Sequence, residues 1–65
     1  MFKKISMREH QVLKMLCEGK TPHEIATILN INDKTVATYK SRLQKKLKVT
    51  NVIDLINKAL ALHVV

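Results

Sequence analysis

The side chains of this chain that are best suited to binding chemistry are cationic, and most of them lie in residues 32–48. Six lysine or arginine residues and one aspartate give this segment a formal charge of +5, out of +7 for the whole chain of 65 residues. The isoelectric point near 9.9 predicts attraction to polyanions, a class that includes DNA, RNA and anionic lipid surfaces. Charge alone does not choose among these partners.

Helical geometry sorts the side chains of this segment into two sides. At about 100° per residue, three aliphatic side chains fall within about 40° of one another; they are Val36, Leu43 and Leu47. The opposite side collects short polar and cationic side chains, which are Lys34, Thr38, Ser41 and Lys45. One side is therefore expected to pack against the protein, and the other to face outward.

Local capping signals predict the elements that position this helix. Ser6 and Glu9 have the spacing of a capping box, which predicts a first helix over about residues 7–18 that stops at Gly19. Thr21 and Glu24 repeat the spacing around Pro22, a residue favoured at the first helical position. A second helix over about residues 22–29 follows.

The rest of the chain completes an all-α fold of four helices. A three-residue turn ends at Asn32, a helix cap for a third helix over about residues 33–47. Val49 and Thr50 interrupt this helix before a fourth helix over about residues 51–63. We therefore expect residues 1–65 to form one helix-turn-helix domain, in which a short helix and a tight turn precede the basic helix.

A helix of this kind fits the major groove of DNA. The groove admits one α-helix, and short outward side chains let its backbone approach the base edges. We predict base contacts from three small residues on the outward side, Ala37, Thr38 and Ser41. The long cationic side chains beside them are predicted to reach phosphates; they are Lys34, Arg42, Lys45 and Lys46.

Other interpretations of the basic helix have less support. The basic side could be a solvated lysine-rich surface that binds nothing, but this interpretation does not explain why a short capped helix precedes it. Single-stranded RNA is usually bound on aromatic platforms, and Phe2 and Tyr39 are the chain's aromatic residues. A membrane-surface helix needs a free apolar face, whereas the aliphatic side of this helix is needed for the core.

The sequence also argues against enzymatic and metal-binding functions. No nucleophile and base pair, and no glycine loop for phosphates, is recognisable, so neither catalytic residues nor a cofactor is predicted. Cys17 is the chain's single cysteine and is expected to be a small apolar residue of the first helix. The three histidines have no metal-ligand spacing. A cytoplasmic protein is expected, because no signal peptide or membrane-spanning stretch is visible.

Several motifs in register resemble the LuxR-type helix-turn-helix of NarL- and FixJ-like regulators. The resemblance extends from Ile5 to Ala59. Its motifs are Ile5-Ser6-x-Arg8-Glu9, Val12-Leu13, Gly19, Glu24-Ile25-Ala26, Leu29-x-Ile31, Thr35-Val36 and Lys46-Leu47-x-Val49. Within the family, Tyr39-Lys40-Ser41-Arg42-Leu43 is most similar to the branch of BvgA- and EvgA-like response regulators.

The resemblance implies a bacterial transcriptional regulator that binds double-stranded DNA as a dimer. It implies the same base contacts from Ala37, Thr38 and Ser41, and it adds Thr35 to the phosphate contacts. Response regulators of this family have a receiver domain in front. The chain therefore corresponds either to the effector domain of such a regulator or to a short stand-alone regulator of the GerE type.

The last helix has more apolar surface than one core requires. Its apolar residues cover an arc near 200°, about twice the stripe that a surface helix buries. We expect the excess to pair with a second copy of the chain across a two-fold axis. The predicted dimer interface consists of Val52, Ile53, Ile56, Leu60 and Val64. A tiny domain that merely tolerates spare apolar residues is the other interpretation.

The main rival function is a protein-interaction module that docks on an acidic partner of the transcription machinery, for which RNA polymerase is the candidate. Small residues such as Thr38 and Ser41 in the middle of a basic surface favour groove binding instead. A protein-binding hot spot would be expected to place aromatic or arginine side chains there.

Overall fold

Four α-helices form the part of the chain that the computed structural model describes, residues 5–62. They are α1 (Met7–Cys17), α2 (Pro22–Leu29), α3 (Asp33–Lys46) and α4 (Val52–Ala61). No strand occurs within these residues, and the predicted all-α class with four helices is confirmed. The bounds of α1, α2 and α3 and the beginning of α4 lie within one residue of the expected positions. Residues 1–4 and the expected end of the last helix near residue 63 lie outside the described range.

Two capping boxes begin the first two helices, as the sequence predicts. The Glu9 amide donates to Ser6 Oγ over 3.2 Å, and the Ser6 amide donates to Glu9 Oε1 over 2.9 Å. Thr21 and Glu24 make the same reciprocal pair at 3.2 and 2.8 Å. Each box satisfies backbone N–H groups that the first helical turn leaves without a helical partner.

A left-handed residue follows each of the first three helices. Gly19, Asn30 and Lys48 have φ values of 90°, 56° and 58°. In each case the next amide reaches back five residues, as in the bond from the Val49 amide to the Gln44 carbonyl at 2.9 Å. This is the Schellman motif. Glycine and asparagine adopt this backbone readily, whereas lysine does so at a cost.

The core lies where α3 crosses the other three helices. The hydrophobic residues that it buries are all aliphatic. They are Val12, Leu13, Leu16, Ile25, Ala26, Val36, Leu43, Leu47, Leu55 and Ala59. The three aliphatic residues predicted to share the inner side of the third helix are all among them, so packing fixes how α3 is rotated about its axis.

None of the helices within residues 5–62 combines the length and the apolar content needed to cross a lipid bilayer.

Candidate nucleic-acid interface

The outward side of α3 carries short side chains at its centre. Ala37, Thr38 and Ser41 are all exposed. Thr38 and Ser41 lie opposite Val36 and Leu43, whose side chains are fully buried, and Ala37 lies about 100° around the helix from Val36. The Thr38 hydroxyl donates to the Lys34 carbonyl of the preceding turn over 3.1 Å. Its oxygen can therefore accept a hydrogen bond from outside, and its methyl group is available for apolar contact.

Three of the predicted phosphate-binding cations flank this strip. The side chains of Lys34, Arg42 and Lys45 are exposed on α3. Thr35 is half-buried, and its hydroxyl donates to Asn32 Oδ1 over 2.8 Å. The same Asn32 oxygen accepts from the Thr35 amide over 2.7 Å, which makes Asn32 the cap of α3. A phosphate contact by the Thr35 hydroxyl would have to replace its bond to this cap.

Lys46, the fourth predicted phosphate-binding cation, points toward α1 and not only toward solvent. Its Nζ lies 2.6 Å from Glu9 Oε1. The Glu9 side chain is 3% exposed and that of Lys46 is 25% exposed, so the pair is largely sheltered from water. Lys46 therefore ties the last turn of α3 to the first turn of α1, and a phosphate would compete with Glu9 for its ammonium group.

The ionised form of Glu9 is stabilised by its partners. Burial raises the pKa of the Glu9 carboxyl, but hydrogen bonds from Lys46 and Ser6 lower it, and the net pKa lies below the usual value. The sequence predicted the capping role of Glu9. It contained no signal for the pairing with Lys46, because 37 positions separate the two residues.

A second pair, also not foreseen from the sequence, joins the beginnings of α2 and α3. His23 Nδ1 lies 3.2 Å from Oδ1 and 3.1 Å from Oδ2 of Asp33. Both side chains are mostly exposed. The pair lies beside Lys34, at the end of α3 where the predicted contact surface begins.

The predicted dimer interface on α4 divides into two parts. Ile53 and Leu60 are 68% and 51% exposed. Val52 and Ile56 are half-buried against the core and line a shallow cavity of about 330 Å³. The other residues that line this cavity are Leu16, Gly19, Lys20, Pro22 and Lys40. The fifth predicted interface residue, Val64, lies outside the described residues.

The remaining candidate ligands do not assemble into a site. Within residues 5–62, no three histidine, cysteine or acidic side chains lie together as metal ligands would. Cys17 is half-buried, and burial, followed by the nearby Glu18 charge, raises the pKa of its thiol. A thiol with a raised pKa is a weak nucleophile, which agrees with a packing role.

Two helices joined by a short turn, the second of them basic and outward-facing, define a helix-turn-helix protein. The sequence pattern of the family described as "Bacterial regulatory proteins, luxR family" matches residues 3–59. The chain belongs to this family, and it is a LuxR-type DNA-binding domain.

The chain is similar to proteins named as a response regulatory protein and as a transcription regulator. The chain is 40% identical over 60 residues to the response regulatory protein YgeK of Escherichia coli K12, which covers 92% of the chain and 41% of YgeK. It is 42% identical over 55 residues to the virulence regulator BvgA of Bordetella pertussis, which covers 85% of the chain and 26% of BvgA. The chain thus spans less than half the length of these relatives.

Solved structures show the same fold. A complex of Vibrio cholerae VqmA with ligand and DNA superposes with a TM-score of 0.89 at 36% identity, covering 94% of this chain and 27% of VqmA. The transcription factor GerE gives a TM-score of 0.83 at 27% identity, covering 91% of this chain and 88% of GerE. The family resemblance inferred from the sequence motifs is confirmed.

Proposed function

We propose that this protein binds specific double-stranded DNA sequences in the bacterial cytoplasm, as a transcriptional regulator or as the DNA-binding part of one. In this proposal α3 lies in the major groove, and α2 crosses the phosphate backbone. Residues 1–65 act as one helix-turn-helix domain. The function needs no cofactor and no catalytic residue.

The observation that carries the proposal is the strip of short side chains between long cations on the outer side of α3. An α-helix with its side chains is about 10–12 Å across, close to the width of about 12 Å of the major groove. Exposed Ala37, Thr38 and Ser41 let the helix backbone approach the bases. Electrostatic attraction alone does not require short side chains between the cations, whereas close approach to the bases does.

Each class of residue has a distinct task in this arrangement. Thr38 offers its methyl to thymine and its oxygen to an amino group of adenine or cytosine, because its own proton is held within the helix. Lys34, Arg42 and Lys45 contact phosphates. Thr35 does so when its hydroxyl exchanges the hydrogen bond to Asn32 for one to a phosphate oxygen. Lys46 contributes charge near the phosphates while it fixes α3 to α1 through Glu9.

Dimerisation is proposed to use the exposed side of α4. Ile53 and Leu60 are the large apolar side chains that this helix exposes within the predicted interface, and Val64 extends the interface in the proposal. Val52 and Ile56 would support it from the core side. The VqmA of Vibrio cholerae, a structural relative, is described as a dimer whose conformation depends on target DNA. A two-fold dimer of this chain would bind inverted half-sites about 34–36 Å apart.

Selection of binding sites from a random duplex pool tests this proposal. We expect enrichment of a short sequence, arranged as inverted repeats if α4 mediates dimerisation. If about six phosphates are neutralised per domain, affinity for any duplex should fall about a thousandfold between about 50 and 200 mM salt. Recovery of unenriched sequences, with equal affinity for heparin and DNA, would contradict sequence-specific binding.

Thr38→Ala provides the residue-level test. It should relax the preference at one base step, because alanine lacks the methyl and hydroxyl groups that would contact the bases. Affinity for random duplex should stay unchanged, because alanine is also short and uncharged and leaves the phosphate contacts in place. Equal losses on enriched and random duplexes would remove Thr38 from the base-reading set.

A further inference from the structure

The His23–Asp33 pair joins the beginnings of α2 and α3. His23 is in the first turn of α2, and Asp33 begins α3. The side chains remain 79% and 63% exposed although they contact each other. The pair therefore contributes little to the core and occupies the open edge at which both helices of the helix-turn-helix begin.

This edge would face phosphates if the protein binds DNA as proposed. In helix-turn-helix complexes the N-terminal part of the second helix enters the groove while the first helix crosses the backbone. Helix N-termini also attract phosphates through their free amide groups. Asp33 places a negative charge at this point, and an uncompensated carboxylate there opposes binding.

The charge of the pair depends on the proton count of His23. An ionised carboxylate can only accept, so the ring nitrogen that faces Asp33, Nδ1, must carry a hydrogen in either charge state. The other nitrogen, Nε2, is then an acceptor in the neutral ring and a donor in the imidazolium. Only the imidazolium both neutralises Asp33 and can donate Nε2–H to a phosphate oxygen.

Neighbouring charges do not duplicate this change. Glu24 on α2 is held by the Thr21 amide at 2.8 Å, and Lys20 in the turn after α1 is held by Glu18 at 3.0 Å. Lys34 follows Asp33 on α3. Carboxylates and lysines keep their charge between about pH 6 and pH 8, whereas histidine is the side chain that changes charge in this interval.

We propose that His23 is a phosphate-binding residue of this protein and that it binds DNA in its protonated form, held in place by Asp33. DNA binding is then accompanied by proton uptake, and affinity rises as the pH falls through the neutral range. The inference rests on the proposed function, and it specifies how a binding residue outside α3 would regulate it.

Binding measurements at two pH values test the proposal. Fluorescence anisotropy is recorded with the duplex enriched by selection and with a mixed-sequence duplex of equal length, at constant ionic strength, at about pH 6 and about pH 8. We expect both duplexes to bind about threefold to fivefold more tightly per domain at the lower pH, the size of an exposed ionic contact. Calorimetry in buffers of different ionisation enthalpy should detect the proton uptake directly.

Four variants assign the effect to the pair. His23→Gln should abolish the pH dependence and bind at both pH values with the weaker affinity that the parent shows at about pH 8. His23→Lys should bind tightly at both pH values. Asp33→Asn should bind more tightly than the parent at the higher pH, because the opposing carboxylate is gone. His10→Gln is the matched control, which removes a histidine from α1 and should keep the parent's pH dependence.

The outcomes separate the inference from the function on which it rests. Duplex binding that is equal at both pH values, or a pH dependence that survives in His23→Gln, overturns the role of His23 and leaves DNA binding intact. Failure to bind either duplex at either pH overturns the proposed function itself.

Discussion

The two ends of α3 are held by side-chain pairs of different character. At the C-terminal end, Lys46 and Glu9 lie 2.6 Å apart, and Glu9 is buried while Lys46 is half-buried. At the N-terminal end, His23 and Asp33 lie 3.1 Å apart and are mostly exposed. A buried pair is costly to break because it leaves an unpaired charge, whereas an exposed pair contributes little to stability. The difference indicates that the first pair positions α3 and that the second is available to a ligand.

Removal of the Glu9 charge should have the largest effect on folding. Glu9→Gln keeps a side chain that can complete the capping box but removes the negative charge beside the Lys46 ammonium, and we expect it to lower the free energy of unfolding by about 2 kcal/mol. Glu9→Ala also loses the box and should cost about 3 kcal/mol. Urea denaturation measures both values. Asp33→Asn, which breaks the exposed pair, should change stability by less than about 1 kcal/mol.

The acid dependence of stability should follow from the same contact. Because the folded-state pKa of Glu9 lies below its usual value, its stabilising contribution is present at neutral pH and is lost as the pH falls through the folded-state pKa. Glu24, whose pKa the Thr21 hydrogen bonds also lower, adds a contribution of the same sign. Denaturation at several pH values should therefore show a flatter acid decline for Glu9→Gln than for the parent. An identical decline would mean that Glu9 is not held in its charged form.

Adjacent lysines on α3 should behave differently. Lys45→Ala removes an exposed cation and should reduce the slope of log affinity against log salt by about one, with little change in stability. Lys46→Ala leaves the Glu9 carboxylate without its ammonium partner and should lower the free energy of unfolding by about 1–2 kcal/mol. Salt titrations and urea denaturation of both variants measure the contrast. Equal effects of the two substitutions would show that the buried pair does not distinguish these lysines.

The sequence predicts those features that are set by residues close together in the chain. The capping boxes, the turn residues and the aliphatic side of α3 are readable because each is set by residues within one or two helical turns. The partners of Lys46 and His23 are not readable, since they lie 37 and 10 positions away and depend on how the helices cross. The half-burial of Val52 and Ile56 depends on that crossing as well.

The end of α3 shows a different limit of sequence interpretation. The break was expected at Val49 and Thr50, but the left-handed residue is Lys48, with a φ of 58°. Lysine has no preference for this backbone, so nothing in its residue type marks the position. The hydrogen bond from the Val49 amide to the Gln44 carbonyl, at 2.9 Å, closes the turn there.

The smallest expected effect concerns this left-handed lysine, which lies just beyond the buried pair. Lys48→Gly should raise the free energy of unfolding by about 0.5–1 kcal/mol, because glycine adopts a positive φ without steric cost. Lys48→Ala removes the same charge but retains the steric cost, and it should give no such gain. Thermal or urea denaturation of both variants checks the difference. A gain in both would assign the effect to charge and not to the backbone.

Titration of a DNA duplex into the isotopically labelled protein, followed by amide NMR shifts, tests the central claim most directly. The claim is that the outer side of α3 is the DNA-binding surface. We predict the largest shifts at Ala37, Thr38 and Ser41 and at the start of α2 near His23, with smaller changes on α4. Unmoved signals along α3, with the principal shifts at Ile53 and Leu60 on α4, would contradict it.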